Sequence, residues 1–261
     1  MNNAIFITVR SDSTRLPNKA MRIILGRPII EHIIIRAKIA SVFNKIILCT
    51  TDRKIDDVLI EIAKNNEINY FRGALKDKLK RWLDAAHKFG IDYFITMDGD
   101  DLFCDPELME LGANQMEVGG YDFIKAPPGL ACGAFSFAIK TSALEKVVQI
   151  KDTEDTEMMW VYFEDTGLFQ VGTLAVNDPI YYDDNIRLTL DYPEDFVFFN
   201  KIFKELKCKN NDISLKQIMC FLKDNPQLTL INAFRQEDFL KNQSKQSKLL
   251  IKKFKSNNNE Y

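Results

Sequence analysis

The amino-acid sequence predicts an α/β fold, in which a mostly parallel twisted sheet is flanked by helices on both faces. Short apolar runs alternate with segments of helical spacing through the first half of the chain, in a β-α-β-α-β order. The 261 residues are 46% hydrophobic, which suffices for the core of one large domain. Polar residues follow several of the apolar runs, at the strand ends where α/β sheets place their ligand-binding residues.

The elements of the first half are short and regularly spaced. Apolar runs predict strands at 4–9, 45–50, 68–71, 93–97 and 122–125. Helical spacing predicts helices at 29–40, 55–64, 79–89 and 106–116, and Pro28 precedes the first of them. Each strand-helix-strand unit is expected to cross over right-handedly, so that successive strands run parallel.

The second half of the chain is less regular. Its patterns predict strands at 135–139 and 169–176, and helices at 155–162, 193–206 and 215–222. Because no repeat or low-complexity linker divides the chain, residues 1–240 are predicted to form one domain. Residues 241–261 contain six lysines and a single acid, and are expected to form a solvated, partly frayed tail. The alternative for this tail is a weak tether to an acidic partner or a membrane surface.

Composition narrows the classes of function. A formal net charge of −2 does not favour a nucleic-acid-binding protein. Charged residues within 29–39 argue against a membrane span, and the first apolar run is too short for a signal-peptide core, so we expect a cytoplasmic protein. Five cysteines without a CxxC pair indicate reduced thiols, and Cys49 and Cys220 are expected to be core residues. His32 and His87 lie in helical patterns and are expected to be packing or surface residues.

A basic loop follows the first strand. Residues 10–19 read RSDSTRLPNK, so three cations and several hydroxyl residues gather where a parallel strand delivers its loop. Fixed positive charge and flexible backbone N–H donors are what the phosphates of a nucleoside triphosphate require. The absence of a GKT or GKS sequence excludes a Walker loop. The candidate phosphate-binding residues are Arg10, Ser11, Ser13, Thr14, Arg15 and Lys19. The alternative is a set of solvated loop charges.

An acidic turn ends the strand predicted at 93–97. It contains Asp98, Asp100 and Asp101 around a glycine. Carboxylates at this position beside a triphosphate would hold Mg²⁺, which prefers hard oxygen ligands and bridges phosphate oxygens. The structural alternative is an Asp-Gly turn with its own hydrogen bonds.

A second acidic segment, at 187–195, reads RLTLDYPED. Its last two acids, Glu194 and Asp195, are expected to open a helix, because a proline precedes them and negative charge is favoured at the amino end. The residue patterns leave two roles open for Arg187, which are substrate contact and support of the loop.

These segments together resemble the cytidylyltransferases related to CMP-KDO synthetase, and more closely the SpsF-like branch, named after a spore-coat polysaccharide protein. The resemblance rests on RSDSTRLPNK, on the GD-containing strand end followed by DPE at 105–107, and on RLTLDYPED, and it covers nearly the full chain. It implies the nucleotide-diphospho-sugar transferase fold, a Rossmann-type architecture related to GT-A glycosyltransferases. It also implies transfer of CMP from CTP to an anionic sugar or a phosphorylated or phosphonylated acceptor, with release of pyrophosphate, in the synthesis of surface polysaccharide or glycoconjugate precursors.

The resemblance assigns roles to individual residues. Asp100 and Asp191 match the two metal-binding aspartates of the family, which implies Mg²⁺ as cofactor, and Asp98 is a weaker candidate counted with the nucleotide-binding residues. Arg15 and Lys19 join the two aspartates as catalytic residues. The remaining nucleotide-binding positions end the second and third strands: Thr50, Thr51 and Arg72. A homodimer is a further expectation of the resemblance.

Two segments depart from the family pattern. SpsF-like chains usually carry an acidic DDVLDRY-like segment where this chain reads KDKLKRW at 76–82, so that Lys78 and Lys80 make this rim basic. These lysines either form a solvated helix face or favour the binding of an anionic substrate. The loop at 127–135, expected to face the acceptor, carries small residues where the family often has an acid.

Three alternative functions follow from the same residues. A GT-A glycosyltransferase also places carboxylates on a divalent metal after a strand, but it does not need the basic loop. A non-catalytic nucleotide-binding relative is compatible with the altered loops. A third alternative shares the fold and the reaction but uses another triphosphate, because the motif does not strictly select the base.

Overall fold

A computed structural model describes residues 1–247 and 249–252. In chain order its strands are β1 (Asn3–Thr8), β2 (Ile23–Ile24), β3 (Arg27–Pro28), β4 (Lys45–Thr51), β5 (Asn69–Gly73), β6 (Tyr93–Asp98), β7 (Phe123–Lys125), β8 (Phe137–Lys140) and β9 (Val171–Thr173). Its α-helices are α1 (Ile29–Ala37), α2 (Asp57–Asn65), α3 (Lys78–Phe89), α4 (Pro106–Val118), α5 (Thr141–Ile150), α6 (Val161–Glu164), α7 (Pro193–Glu205), α8 (Leu215–Asp224) and α9 (Arg235–Gln246). Short 3₁₀ turns lie between several of these elements.

Seven strands form one sheet in the order β5-β4-β1-β6-β8-β7-β9, in which β8 runs antiparallel to both of its neighbours. The pairs on either side of β1 are parallel, as predicted. At the carboxyl end of β1, Thr8 lies opposite Cys49 of β4 and Asp98 of β6. The loops that follow these three central strands therefore emerge at one edge of the sheet, which is where the candidate site lies.

The two faces of the sheet are covered by different helices, as the α/β pattern predicts. Alternate residues of β1 point to opposite faces, so Ile5 and Ile7 pack with α1, α2, α4, α7 and α8, whereas Phe6 packs with α3, α5 and α6. Phe6 stacks on Phe94 of β6 with ring centroids 4.1 Å apart. Each such buried side chain contributes about 1.5–3 kcal/mol through the removal of apolar area from water.

The irregular second half differs most from the sequence predictions. The helix predicted at 155–162 is wrong over its first six residues, because α6 spans only Val161–Glu164. Thr156 instead uses its hydroxyl to bond Asp77, 79 residues away, and threonine side chains that bond outside their own segment compete with helix formation. Helix α5 was not predicted. In the first half of the chain, the small antiparallel hairpin of β2 and β3 was also not predicted.

The cysteine and histidine predictions have mixed outcomes. Cys49 is buried in β4, as expected. The prediction for Cys220 is wrong, because its side chain is exposed. The apolar stripe of α8 follows the helical period through Leu215, Ile218, Met219 and Leu222, and residue 220 lies off that stripe. His32 is buried, with Nε2 2.8 Å from a backbone carbonyl, and His87 is exposed.

The chain beyond residue 240 continues in regular structure for a short distance. Helix α9 runs to Gln246, and Ile251 forms an antiparallel bridge with Lys151. The rest of the lysine-rich tail, residues 248 and 253–261, lies outside the described residues. None of the helices in the described part of the chain is long and apolar enough to span a bilayer.

Candidate active site

The basic loop after β1 delivers two cations to a pair of carboxylates. Leu16 is fully buried and anchors the middle of the loop, and Asn18 adopts a left-handed conformation that starts a 3₁₀ turn at Lys19. Beyond these anchors, a guanidinium nitrogen of Arg15 lies 2.5 Å from Asp191 Oδ1. Lys19 Nζ lies 2.6 Å from Asp100 Oδ2 and 3.3 Å from Asp191 Oδ1. Four of the predicted residues are therefore in direct contact.

Asp100 reaches Lys19 because the chain turns sharply after β6. Gly99 donates its N–H to the Thr8 carbonyl (2.8 Å), and a Cβ at this position would lie only 2.7 Å from Val9. A side chain at residue 99 would therefore push β6 away from β1. The Asp-Gly turn is thus a structural requirement, and it also presents Asp100 at the strand end.

Asp191 is positioned by a buried network within the second acidic segment. The N–H of Leu190 donates to the carbonyl of Asp100 (3.0 Å), which fixes the two aspartates side by side. The carboxylate of Asp195 accepts the N–H groups of Asp191 (2.8 Å) and Tyr192 (2.9 Å). Such bonds from an acid in the first turn back to the residues before it cap the amino end of a helix. These bonds confirm that Asp195 opens the helix.

Arg187 supports the loop, which answers the question that the sequence left open. Its guanidinium is buried and donates to Asp191 Oδ2 (3.1 Å) and Asp195 Oδ1 (3.1 Å). Asn232 donates to Asp195 (2.9 Å) and thereby extends the network to the C-terminal region. Asp191 consequently presents one oxygen to Arg187 and the other to Lys19 and Arg15.

The two aspartates have unlike pKa values because their surroundings differ. Burial alone would raise the pKa of Asp191, but Lys19, Arg15 and Arg187 lower it to about 2. Burial raises the pKa of Asp100, against the lowering by Lys19, and the nearby Asp191 raises it further. The pKa of Lys19 is raised despite its burial, because both carboxylates favour the ammonium form. Near neutral pH, Asp191 is therefore negatively charged and Lys19 positively charged, whereas burial and the neighbouring Asp191 disfavour the charged form of Asp100.

A second polar cluster lies at the ends of β4 and β5. Asp56 accepts the N–H of Ser11 (2.7 Å) and the hydroxyl of Thr51, and it also pairs with Arg53 (3.2 Å). The guanidinium of Arg72 donates to the backbone carbonyls of Thr51 and Arg53. The cluster therefore holds the basic loop against the strand end.

Two hydroxyls of this region are buried without a hydrogen-bond partner among the described residues. They belong to Ser11 and Thr50, which the sequence predicts as nucleotide contacts. An unpaired buried hydroxyl costs free energy, and a bound ligand could satisfy it. Asp56 and Arg53 were missed by sequence reasoning. No local pattern singles out Asp56, because Asp57 and Glu61 lie in the same segment, and Arg53 precedes that segment.

The other predicted residues lie apart from the four-residue cluster. Ser13 accepts the N–H of Leu16 (3.4 Å), and Thr14 is exposed. The guanidinium of Arg10 is half-exposed and lies 3.9 Å from Glu157, a residue that sequence reasoning missed. Asp98 pairs with Lys78 Nζ at 3.3 Å.

The donor set fits a hard divalent cation. Asp100 and Asp191 both direct an oxygen to Lys19 Nζ, so they already converge on one position of positive charge. Carboxylate oxygens are the protein ligands that Mg²⁺ prefers, usually one or two of them together with water and substrate phosphates. Among the described residues no group of three or more His, Cys, Asp or Glu side chains forms a complete metal cage. Two carboxylates would leave the other coordination positions of such a cation to water and substrate phosphates.

Comparison with known proteins agrees with this geometry. The profile of the cytidylyltransferase family matches residues 4–246. An uncharacterized protein of Methanocaldococcus jannaschii is 31% identical over 233 residues, which are 87% of this chain and 93% of that protein. The spore coat polysaccharide biosynthesis protein SpsF of Bacillus subtilis is 25% identical, over 87% of this chain and 96% of its own. A solved cytidylyltransferase from Leptospira borgpetersenii superposes with a TM-score of 0.79 at 27% identity, covering 88% of this chain and 97% of that one.

The chain therefore belongs to the cytidylyltransferase family. Its mixed, mostly parallel sheet is the Rossmann-like fold of the nucleotide-diphospho-sugar transferases, as the resemblance implied. The match spans the basic loop, the acidic turn and the second acidic segment, so all three motifs belong to the shared domain.

Proposed function

We propose that the protein transfers CMP from CTP to a small anionic acceptor, with release of pyrophosphate, and that the acceptor is a precursor of a surface polysaccharide or glycoconjugate. The observation that carries the proposal is the convergence of Arg15, Lys19, Asp100 and Asp191 at the carboxyl edge of the sheet. The family supports nucleotidyl transfer. The spore coat polysaccharide protein among the relatives supports the acceptor class.

In this proposal the basic loop binds the triphosphate. Arg15 and Lys19 release part of their contact with the aspartates and neutralise the phosphates, and the same charges stabilise the leaving pyrophosphate. The unpaired hydroxyls of Ser11 and Thr50 lie on the nucleotide side of the site. Arg72 acts on this side by holding the backbone after Thr51 in place.

Asp100 and Asp191 would hold Mg²⁺ as the cofactor. The bound cation would supply charge neutralisation between the phosphate oxygens and the attacking oxygen. Of the two, Asp191 stays ionised across the physiological range, because Lys19, Arg15 and Arg187 lower its pKa to about 2 despite its burial. Asp100 pairs with Lys19, so it would need another cation once Lys19 turns to the phosphates, which favours metal and phosphate binding together.

The reaction needs positioning and charge stabilisation rather than a covalent intermediate. An acceptor whose attacking oxygen is already anionic needs no general base. His32 contacts a backbone carbonyl in the core and His87 pairs with Glu145 on the surface, so neither lies in the site. This arrangement favours a phosphate or phosphonate as the attacking group. The homodimer and the cytoplasmic location stay predictions of the resemblance.

The test is calorimetric titration of the protein with CTP, ATP, GTP, UTP and UDP-glucose in the presence and absence of Mg²⁺. We expect binding of CTP that is selective and depends on the metal, followed by pyrophosphate release in a screen of anionic sugar acceptors. Binding of UDP-glucose instead of CTP would favour a glycosyltransferase. Equal binding of another triphosphate would overturn the assignment of the base.

A further inference from the structure

The loop at 127–135 runs beside the second acidic segment and is bonded to it through the backbone. Cys132 forms an isolated parallel bridge with Arg187, and the N–H of Leu188 donates to the carbonyl of Cys132 (2.7 Å). The side chain of Leu188 is fully buried, so this contact belongs to the packed interior. The loop expected to face the acceptor is therefore in direct backbone contact with the segment that carries Asp191.

Gly133 allows the two segments to come this close. Its φ is +91°, in the left-handed region that favours glycine, and a Cβ there would lie 2.4 Å from the carbonyl oxygen of Leu188 and 2.7 Å from its carbonyl carbon. Both are backbone atoms, which cannot rotate away as a side chain could. Since non-bonded heavy atoms pack best at about 3.5 Å, a side chain at this position would push the Leu188 backbone away by about 1 Å. Gly129 in the same loop also has a positive φ, +79°, but the nearest atom to a Cβ there would lie at an ordinary contact distance of 3.6 Å.

Leu188 is linked in turn to both aspartates of the candidate site. Two residues further along the chain, the N–H of Leu190 donates to the carbonyl of Asp100 (3.0 Å), and Asp191 follows directly. Leu190 is also fully buried. The second acidic segment is thus bonded to the loop at Leu188 and to the acidic turn at Leu190, with one residue between the two bonds. A displacement of Leu188 would therefore change the distance between Asp100 and Asp191.

We propose that Gly133 is a positioning residue for the metal site. The absence of a side chain there lets the loop at 127–135 hold the second acidic segment at the separation of Asp100 and Asp191 that the proposed cation requires. Gly133 has no side chain to bind the cation or the phosphates; it acts through Leu188, as groups outside the ligand set orient metal ligands. This inference rests on the proposed function and its Mg²⁺ site. It also gives a physical reason for a small residue in a loop where the family often carries an acid.

Two matched glycine variants test the proposal. Gly133→Ala and Gly129→Ala each place an alanine at a left-handed position of the same loop, so both bear backbone strain, but only the first meets the backbone of Leu188. CTP is titrated calorimetrically into each protein with EDTA and again with saturating Mg²⁺, and thermal melting checks that both variants are folded. We expect Gly133→Ala to reduce the factor by which Mg²⁺ tightens CTP binding by about tenfold or more, and to leave the affinity in EDTA unchanged. Gly129→Ala should keep the wild-type value of both.

A measurement on the wild-type protein gives an independent result if Gly133→Ala does not fold. Amide hydrogen exchange of the CTP-bound protein is followed by NMR before and after the addition of Mg²⁺. The N–H groups of Leu188 and Leu190 should slow by similar factors, because a cation held by the aspartates would restrain the segment and its bond to the loop together. The N–H of Thr141, which donates to the carbonyl of Asp92 (2.9 Å) at the opposite edge of the sheet, reports the general stabilisation by ligand and should slow less.

Three outcomes would overturn the inference: Gly133→Ala keeps the wild-type effect of Mg²⁺ on CTP binding, Gly129→Ala loses that effect to the same extent, or Mg²⁺ slows the N–H of Leu188 no more than that of Thr141. A wild-type protein that binds no CTP, or binds it equally with and without Mg²⁺, would instead count against the proposed function, and Gly133 would lose its role with it. The two failures are distinguishable, because the second appears already in the wild-type titration.

Discussion

Lys19 and Asp100 are 81 residues apart in the chain, yet the ammonium group of one lies 2.6 Å from the carboxylate of the other. This ion pair joins the loop after β1 to the turn after β6, and these two strands are neighbours in the sheet. The parallel pairing of the strands brings both loops to the same edge. Because the pair is largely shielded from water, its charges act strongly on one another and on any phosphate that enters.

Substitution of Asp100 by Asn should abolish turnover and preserve the fold. The amide cannot supply the negative charge that the proposed cation requires, and we expect pyrophosphate release to fall by at least about a hundredfold, as it does when a group that stabilises transition-state charge is removed. The fold should persist because burial already disfavours the ionised form of Asp100. Asp84→Asn is the control, since Asp84 lies on the exposed face of α3. Near-normal pyrophosphate release from Asp100→Asn would contradict the metal assignment.

Arg187 should contribute more to the stability of the fold than to the binding of substrate. Replacement of Arg187 by Met leaves the buried Asp195 without its cation and removes one of the three cations that contact Asp191. We therefore expect a loss of about 3–5 kcal/mol in the free energy of unfolding, measured in urea. Arg235→Met removes a more exposed guanidinium from its pair with Glu194, and it should change the free energy of unfolding far less. Equal effects of the two changes would contradict the role of the buried network.

The stability of the protein should depend on Asp191 at acid pH. The folded pKa of Asp191, about 2, lies below the value of about 3.9 in an unfolded chain. Its contribution of about 2 kcal/mol is therefore complete above about pH 5 and is lost as the pH falls toward about 2. The free energy of unfolding of Asp191→Asn, measured over this range, should fall less steeply than that of the wild type. Asp100→Asn should not flatten the curve, because the pKa of Asp100 is raised rather than lowered.

The cysteine thiols should be alkylated at rates that follow their exposure to solvent. Cys220 is exposed, and we expect it to be alkylated first in the native protein. Burial raises the pKa of Cys49 to about 12 and that of Cys132 also to about 12, so both should react slowly. Mass spectrometry of peptides after brief labelling measures the order. Cys220→Ser should remove the fast phase, and a fast phase that persists in that variant would show that a thiol assigned to the interior is accessible.

The segment after α9 should help to position the rim of the site. The backbone of residues 250–252 bonds to Ile150 and Asp152 at 2.8 Å each, and the Lys151 side chain between them binds Asp77 at 2.5 Å. Asp77 caps the start of α3, from which Lys78 extends. A chain that ends at residue 247 should therefore have a lower melting temperature and a lower turnover than one that ends at residue 252, which retains these bonds. Equal values for the two chains would contradict the coupling.

Much of the first half of the fold could be predicted from sequence. Buried parallel strands such as β1 and β6 are short apolar runs, and helices such as α3 have a clear apolar stripe, so both are readable locally. The segment before α6 was predicted wrongly because its structure depends on a bond from Thr156 to Asp77, and no local pattern contains that information. The exposure of Cys220, by contrast, was readable from the sequence, because residue 220 lies off the apolar stripe of α8.

The sequence by itself indicated the class of the protein and the residues of the four-membered cluster, because the motifs around Arg15, Asp100 and Asp191 resemble those of a known family. Only the tertiary structure decided how the charges are shared. It paired Arg187 with Asp191 and Asp195, placed Lys19 between Asp100 and Asp191, and brought Arg10 within 3.9 Å of Glu157. Such pairings depend on distances between segments that are far apart in the chain, and electrostatic interactions depend on distance and burial rather than on sequence order.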